Sequence, residues 1–255
     1  MSQGYCRESG KEFTRIAKEY DKGRASENVE LWAKETRRLA DLDRGSTVLD
    51  LGCGTGLYTV GILWEAGCTM LGMDPAAGML SQAREKSLLV HWFAGMGEWL
   101  PLRPAVLDCI FSSQVWHHIE DRQGTADEGG RVLREGGCYI IRTISHSQLH
   151  QKVVFKFFPE IKVNQIRVYP SNHDFRSYFR NAGFRETEFH EYSLERYQDV
   201  EEFVEIAEKK LWSMFRPITE EGLRRGVAEL RRLGVETGGK PIRNDELITL
   251  VVSRK

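Results

Sequence analysis

From Asp50 to Gly56 the chain reads Asp-Leu-Gly-Cys-Gly-Thr-Gly, an acid followed by glycines at alternate positions. The segment follows a short apolar run of strand type, Thr47 to Leu51, and precedes a helical pattern, Leu57 to Ala66. Glycines between a strand and a helix let a ligand approach the backbone closely, beside a helix N-terminus. A dinucleotide fingerprint, G-x-G-x-x-G, needs its third glycine at position 57, where this chain has Leu57. The spacing is therefore G-x-G-x-G, and it is not the pattern that cradles a pyrophosphate. A second strand-like run, Thr69 to Met73, ends at Asp74-Pro75. An acid there is placed to accept hydrogen bonds from a vicinal diol such as the two ribose hydroxyls.

Other residues able to do chemistry lie further along. His117 and His118 follow a third apolar run, Val106 to Phe111, and Arg142, Thr143 and His146 stand at the end of a fourth, Cys138 to Thr143. In open α/β sheets ligands bind at the carboxyl ends of strands, so His117, His118 and His146 are candidates for taking a proton, with Tyr20 as a fourth. A capping or packing histidine is the competing reading. Arg142, Arg167 and Tyr169 are candidates for holding an acceptor, since a guanidinium suits a carboxylate or phosphate; a structural salt bridge is the alternative. His146 and His150 have i,i+4 spacing but no evident third ligand, and Ser147 stands where H-E-x-x-H has its acid, so no metal site is expected. Cys6, Cys53, Cys68, Cys109 and Cys138 are scattered without C-x-x-C spacing and read as reduced thiols.

The elements that must position these groups alternate. Ser26 is the expected cap of a helix presenting Val29, Trp32, Ala33, Thr36, Leu39 and Ala40 on one face. Strands are expected at 47–51, 69–73, 89–93, 106–111 and 138–143, with helices between them and Pro75 in a first helical turn. Such alternation implies a parallel sheet buried on both faces. Gly183 to Tyr192 and Leu247 to Val252 supply two later strands. Between these lie one helix carrying Val200, Phe203, Ala207 and Leu211, and another, capped by Thr219, carrying Leu223, Val227 and Leu230. The aromatic-rich stretch from Phe155 to Pro170 has the length of a lid.

With Asp50 ahead of it, the glycine loop resembles motif I of the class I S-adenosylmethionine-dependent methyltransferases. The chain is most similar to their small-molecule branch, type 11, which includes quinone-pathway enzymes. The resemblance runs from about Tyr20 to the C-terminus; Val48 to Gly56 is its most specific block, joined by Gly95 to Pro101 and Ser112 to Ile119. It implies an α/β, Rossmann-like methyltransferase fold: a mostly parallel seven-stranded sheet with an antiparallel last strand and a helical cap. The whole chain, 1–255, is then one methyltransferase domain, with N-terminal lid helices over 1–45 and cap insertions at 145–175 and 197–240. The implied cofactor is S-adenosylmethionine, held by Tyr20, Asp50, Gly52, Cys53, Gly54, Gly56, Asp74, Pro75, Met79, Met96, Gly97 and Ser113. One position departs from the pattern. The family commonly has an acid at Met96 to accept from the adenine amine, and a thioether can only pack against the ring.

Composition limits the partners. The 36 basic and 37 acidic residues give a formal charge of −1, which offers no attraction for polyphosphate, so nucleic acid is not expected. No apolar stretch has the length of a membrane span or a leader, which points to a cytoplasmic protein that is a monomer or homodimer. The expected function is methyl transfer to a small organic acceptor. The rivals are a noncatalytic S-adenosylmethionine-binding protein, a nicotinamide dehydrogenase, and a methyltransferase acting on RNA or protein.

Overall fold

The computed structural model describes residues 13–15, 17, 20, 21 and 28–255. The chain divides into two compact units: Met1–Thr143 with His173–His190 and Leu250–Lys255, and Ile144–Asn172 with Glu191–Thr249.

In the first unit α1 (Val29–Ala40) buries Trp32, Ala33, Thr36 and Leu39. Its cap is Asn28, whose side chain accepts from the Leu31 N–H at 3.2 Å, so the expected cap Ser26 is replaced by a residue two positions on; Ser26 itself lies outside the described residues. There follow β1 (Thr47–Leu51), α2 (Leu57–Ala66), β2 (Thr69–Met73), α3 (Ala77–Lys86), β3 (His91–Phe93), β4 (Leu107–Ser113), α4 (Arg122–Val132) and β5 (Leu133–Thr143). Pro75 falls before the Ala76 cap of α3, not in its first turn. Strand β5 begins at Leu133, ahead of the strand expected at 138–143, and its pairing with β4 shifts register between Leu107 and Cys109; Gly136 takes φ 78° there, a left-handed value that glycine adopts without a Cβ penalty.

Later come α5 (His146–Leu149), α6 (Val154–Phe157), α7 (Pro159–Val168), α8 (Asn172–Asn181), β6 (Glu186–Leu194), β7 (Tyr197–Gln198), α9 (Val200–Glu208), α10 (Glu220–Glu236), β8 (Ile242–Arg243) and β9 (Glu246–Arg254). Seven strands form one sheet in the order β3-β2-β1-β4-β5-β9-β6. The pairs from β3 through β5 are parallel. Lys255 N–H donates to Gly137 O, and Arg185 N–H donates to Arg254 O. The end of β9 thus meets the starts of β5 and β6, so β9 is the antiparallel strand. Its interior residues, Leu247 to Ser253, are all buried, which explains the mostly apolar sequence of an interior strand.

The core of this unit joins Leu49, Ile110, Trp116, Tyr139, Phe175, Phe179 and Val251. Trp116 packs edge-on to Tyr139 and Phe175 with centroids 5.7 and 5.4 Å apart, a favoured aromatic arrangement that fixes the segment after β4.

The second unit has its own core, including Leu149, Phe158, Phe203, Phe215 and Leu230. The expected lid stretch, Phe155 to Pro170, forms most of α6 and all of α7, with Pro159 at a position where a helix tolerates the missing N–H. Thr219 caps α10 as expected, accepting from Gly222 N–H at 3.1 Å. Gly226 lets α10 close on Phe158, whose ring carbon stands 2.1 Å from where a Cβ would lie. Buried Gln148 donates to Tyr192 O and Ile248 O, each at 3.0 Å, and accepts from Thr249 Oγ1 at 2.7 Å. That side chain ties α5 to two strands and leaves neither end of its amide unsatisfied. The pair β7–β8 is a small two-stranded antiparallel sheet of its own, which periodicity had not indicated.

Candidate active site

A cavity of about 1040 Å³, counting its open mouth, lies in the first unit. Its wall is built from the segments that follow β1, β2, β3 and β4, all at the carboxyl edge of parallel strands. The glycine loop forms one side. Gly52, Gly54 and Gly56 have φ of 72°, 55° and 79°. At Gly52 a Cβ would stand 2.4 Å from Val115 Cγ2, so the segment after β4 packs directly onto this backbone. Gly52 and Cys53 donate their N–H groups to Met73 O at 2.8 and 3.0 Å, and Gly56 N–H donates to Cys53 O at 2.9 Å. Gly54 N–H donates to Asp74 Oδ2 at 2.9 Å. Four loop amides are therefore committed to acceptors within the protein and do not form an open cradle for phosphate.

Asp74 is buried, and each of its carboxylate oxygens accepts a backbone N–H: Oδ2 from Gly54, and Oδ1 from Ala76 at 2.8 Å. Each oxygen keeps a further lone pair for a ligand. Burial raises its pKa, and the two backbone hydrogen bonds work against that rise. Asp50, also in the wall, accepts from Thr59 Oγ1 at 2.5 Å, and burial pushes its carboxyl up to about 7. The Cys53 thiol is held well up, first by burial and then by the Asp50 and Asp74 carboxylates, so it is neutral and no nucleophile.

Eleven of the twelve expected cofactor residues line this cavity: Tyr20, Asp50, Gly52, Cys53, Gly54, Asp74, Pro75, Met79, Met96, Gly97 and Ser113. The twelfth, Gly56, does not. It caps α2, and a Cβ there would stand 2.6 Å from the Trp92 ring, so its task is close packing of the helix start against β3. His118 lines the cavity, its ring edge-on to Phe13 with centroids 5.5 Å apart. The N-terminal segment is fastened beside it: Asp21 accepts from Thr55 Oγ1 at 2.6 Å and pairs with Lys86, which also donates to Thr55 O at 2.8 Å.

The expected acceptor-side residues are placed differently. Arg142 is buried and is not in the cavity wall. Its guanidinium stands 5.0 Å from the Trp32 and Tyr58 ring centroids, and Nη1 donates to Ser113 Oγ at 3.2 Å, so it touches the wall through Ser113. His146, Arg167 and Tyr169 belong to the second unit. There His146 Nε2 lies 2.9 Å from Tyr169 O, which requires the proton on Nε2, and Arg167 is exposed. Among the described residues no group of three potential metal ligands occurs.

Sequence reasoning missed Phe13, Tyr58, Glu98, Gln114 and Val115 in the wall. Gln114 takes φ 57° at the end of β4 and donates its N–H to Arg142 O at 2.8 Å, a left-handed bend with no glycine or asparagine to announce it. Glu98 had a signal: it stands two residues after Met96, in a segment already matched to the family.

Comparison with known proteins agrees with this geometry. A family model described as a methyltransferase domain matches residues 49–141. Over 108 residues the chain is 35% identical to malonyl-[acyl-carrier protein] O-methyltransferase of Serratia marcescens, covering 42% of each protein. Over 176 residues it is 25% identical to demethylmenaquinone methyltransferase of Chlorobaculum tepidum, covering 62% of this chain and 73% of that one. The chain spans about half the length, or less, of the first curated relatives it matches. A crystal structure from Anabaena variabilis, a candidate methyltransferase from an antibiotic biosynthesis pathway, superposes with a TM-score of 0.73 at 19% identity, covering 88% of this chain and 96% of that one. At that identity the likeness speaks to fold. Residues 49–141 thus match a methyltransferase domain, and the mostly parallel seven-stranded sheet with its antiparallel strand is that of the Rossmann-like methyltransferase fold.

Proposed function

We propose that the protein transfers a methyl group from S-adenosylmethionine to a small organic acceptor. One observation carries the reading: among the described residues the cavity wall holds three carboxyl groups, Asp50, Asp74 and Glu98, with Asp50 keeping its proton up to about pH 7, and neither Lys nor Arg. A wall of that sign favours a sulfonium cation with its ammonium group, and it repels the pyrophosphate of a dinucleotide. The committed amides of the glycine loop act in the same direction.

The residues present fit such a cofactor, which supplies an electrophilic methyl on a sulfur that leaves as a neutral thioether. Asp74 has lone pairs left for the ribose hydroxyls, while Met79 and Met96 offer thioethers to the adenine faces. Gly52, Cys53 and Gly54 bring main chain close to the methionine portion, and Tyr20 and Phe13 add aromatic surface to the wall. In-line displacement needs alignment more than acid–base power. Where the acceptor is a hydroxyl or amine, its proton must go to a base, and His118 is the imidazole in the cavity wall able to take it. His146, the other expected base, belongs to the second unit, as do Arg167 and Tyr169. The two relatives with 35% and 25% identity act, by name, on an acyl carrier protein's malonyl group and on a quinone precursor, which supports an organic acceptor without choosing one.

The test is transfer of label from S-[methyl-³H]adenosylmethionine to a panel of carboxylic acids, phenols and amines. Labelled product from one class is expected. Cofactor binding with no turnover over the panel, and turnover with RNA or protein instead, would overturn the small-molecule assignment.

A further inference from the structure

We infer that Glu98 is the hydrogen-bond acceptor for the exocyclic amine of the ligand's purine, a role the Met96 thioether cannot fill. The inference rests on the adenosyl reading above and adds to it the residue that recognises the base.

The three carboxylates of the cavity differ in what they already hold. Asp50 accepts from Thr59, and Asp74 accepts from Gly54 and Ala76. Glu98 is half-buried in the wall, and among the described residues it makes no hydrogen bond or ion pair. A carboxylate partly removed from water with no donor of its own is the strongest acceptor the cavity presents to an N–H group.

Its placement is fixed from both sides. Trp99 N–H donates to Met96 O at 3.1 Å, which closes a four-residue turn with Gly97 and Glu98 at its two corners. Gly97 seats the turn, since a Cβ there would stand 2.9 Å from Thr125 and 3.5 Å from Leu51. Before the turn, Gly95 lies against Met73; after it, Leu100 N–H donates to Glu128 at 2.8 Å and Leu100 O accepts from Arg131 at 2.9 Å. The segment therefore runs across the ends of β2 and β1 toward α4 and holds the Glu98 corner in the cavity, while Trp99 is 80% exposed. The neighbouring wall is Met96, Leu51 and Ile119, apolar surface suited to the faces of a purine. An adenine presents two N–H donors at its rim, whereas a 6-oxo purine presents an acceptor there and is repelled by a carboxylate.

The experiment compares calorimetric binding of S-adenosylhomocysteine and its 6-oxo analogue, S-inosylhomocysteine, to the unaltered protein, Glu98→Leu and Glu98→Gln. The expected result is a preference for the amine compound that Glu98→Leu lowers about tenfold or more, by the scale of a hydrogen bond to a charged group. Glu98→Leu should leave the 6-oxo compound unchanged or tighter, and Glu98→Gln, whose amide can donate to O6, should tighten it. Since Glu98 holds no partner among the described residues, unchanged melting of both variants is expected. Equal weakening of both ligands by Glu98→Leu, or no change in the preference, overturns the inference while the adenosyl reading stands. Binding of neither compound by the unaltered protein overturns both.

Discussion

Replacing Gly52 by alanine tests whether the glycine loop is held by its own backbone bend and by Val115. Two costs add. Gly52 has φ 72°, and an L residue with a Cβ pays about 1–2 kcal/mol in the left-handed region. The new Cβ would also stand 2.4, 2.9 and 3.2 Å from Val115 Cγ2, Cγ1 and Cβ, all branched atoms near the backbone with no flexible end to swing aside. Overpacking of that kind costs about 1–3 kcal/mol, so Gly52→Ala is expected to lose about 2–5 kcal/mol. Gly54→Ala is the internal control. Its φ is 55° but no described residue lies within 4 Å of its Cβ position, so only the backbone cost of about 1–2 kcal/mol applies. Adding Val115→Ala to Gly52→Ala removes the overlap and should recover its share of the loss. Urea denaturation of the four proteins measures these differences, read at constant slope. A Gly52→Ala variant no less stable than Gly54→Ala, or a double variant no better than the single, would refute the packing argument.

Two further substitutions probe the carboxylates. Asp50 keeps its proton in the folded state up to about pH 7, because burial outweighs the Thr59 hydrogen bond. Between about pH 4 and 7 the unfolded chain has released that proton and the folded chain has not, so stability falls as pH rises through this window. Asp50→Asn should therefore be the more stable protein at pH 8, by up to about 4 kcal/mol, and show no such advantage at pH 4, as measured by denaturation at both values; an equal change at both pH values would contradict the assignment. Asp74→Asn should behave as a disruptive change despite its shape, since both Asp74 oxygens accept backbone N–H groups and an amide nitrogen would face one of those donors. A loss of S-adenosylhomocysteine affinity of about tenfold or more is expected by calorimetry, and wild-type affinity would remove Asp74 from the ribose role.

The β1–loop–α2 unit and Asp74 were legible because their chemistry is local: glycine tolerates the positive φ, and the acid follows its strand directly. The seven-strand count and the antiparallel last strand were legible through resemblance more than through pattern, as β9 reads like any buried strand and only its hydrogen bonds reveal its direction. Gly56 was assigned to the ligand because it shares the spacing of Gly52 and Gly54, yet its neighbour is Trp92, nearly forty residues away in sequence. Arg142 could be placed at a strand end, but its sandwich between Trp32 and Tyr58 is a long-range contact that no local pattern encodes. The bend at Gln114 and the donor-free state of Glu98 were invisible for the same reason, being set by what surrounds each residue.

The most direct test of the central claim is a calorimetric titration of the unaltered protein with S-adenosylmethionine and, separately, with NAD. A wall that among the described residues holds three carboxyl groups and no Lys or Arg predicts one-site, submillimolar binding of the sulfonium compound and no heat of binding from the dinucleotide. Submillimolar binding of NAD alone would contradict the account.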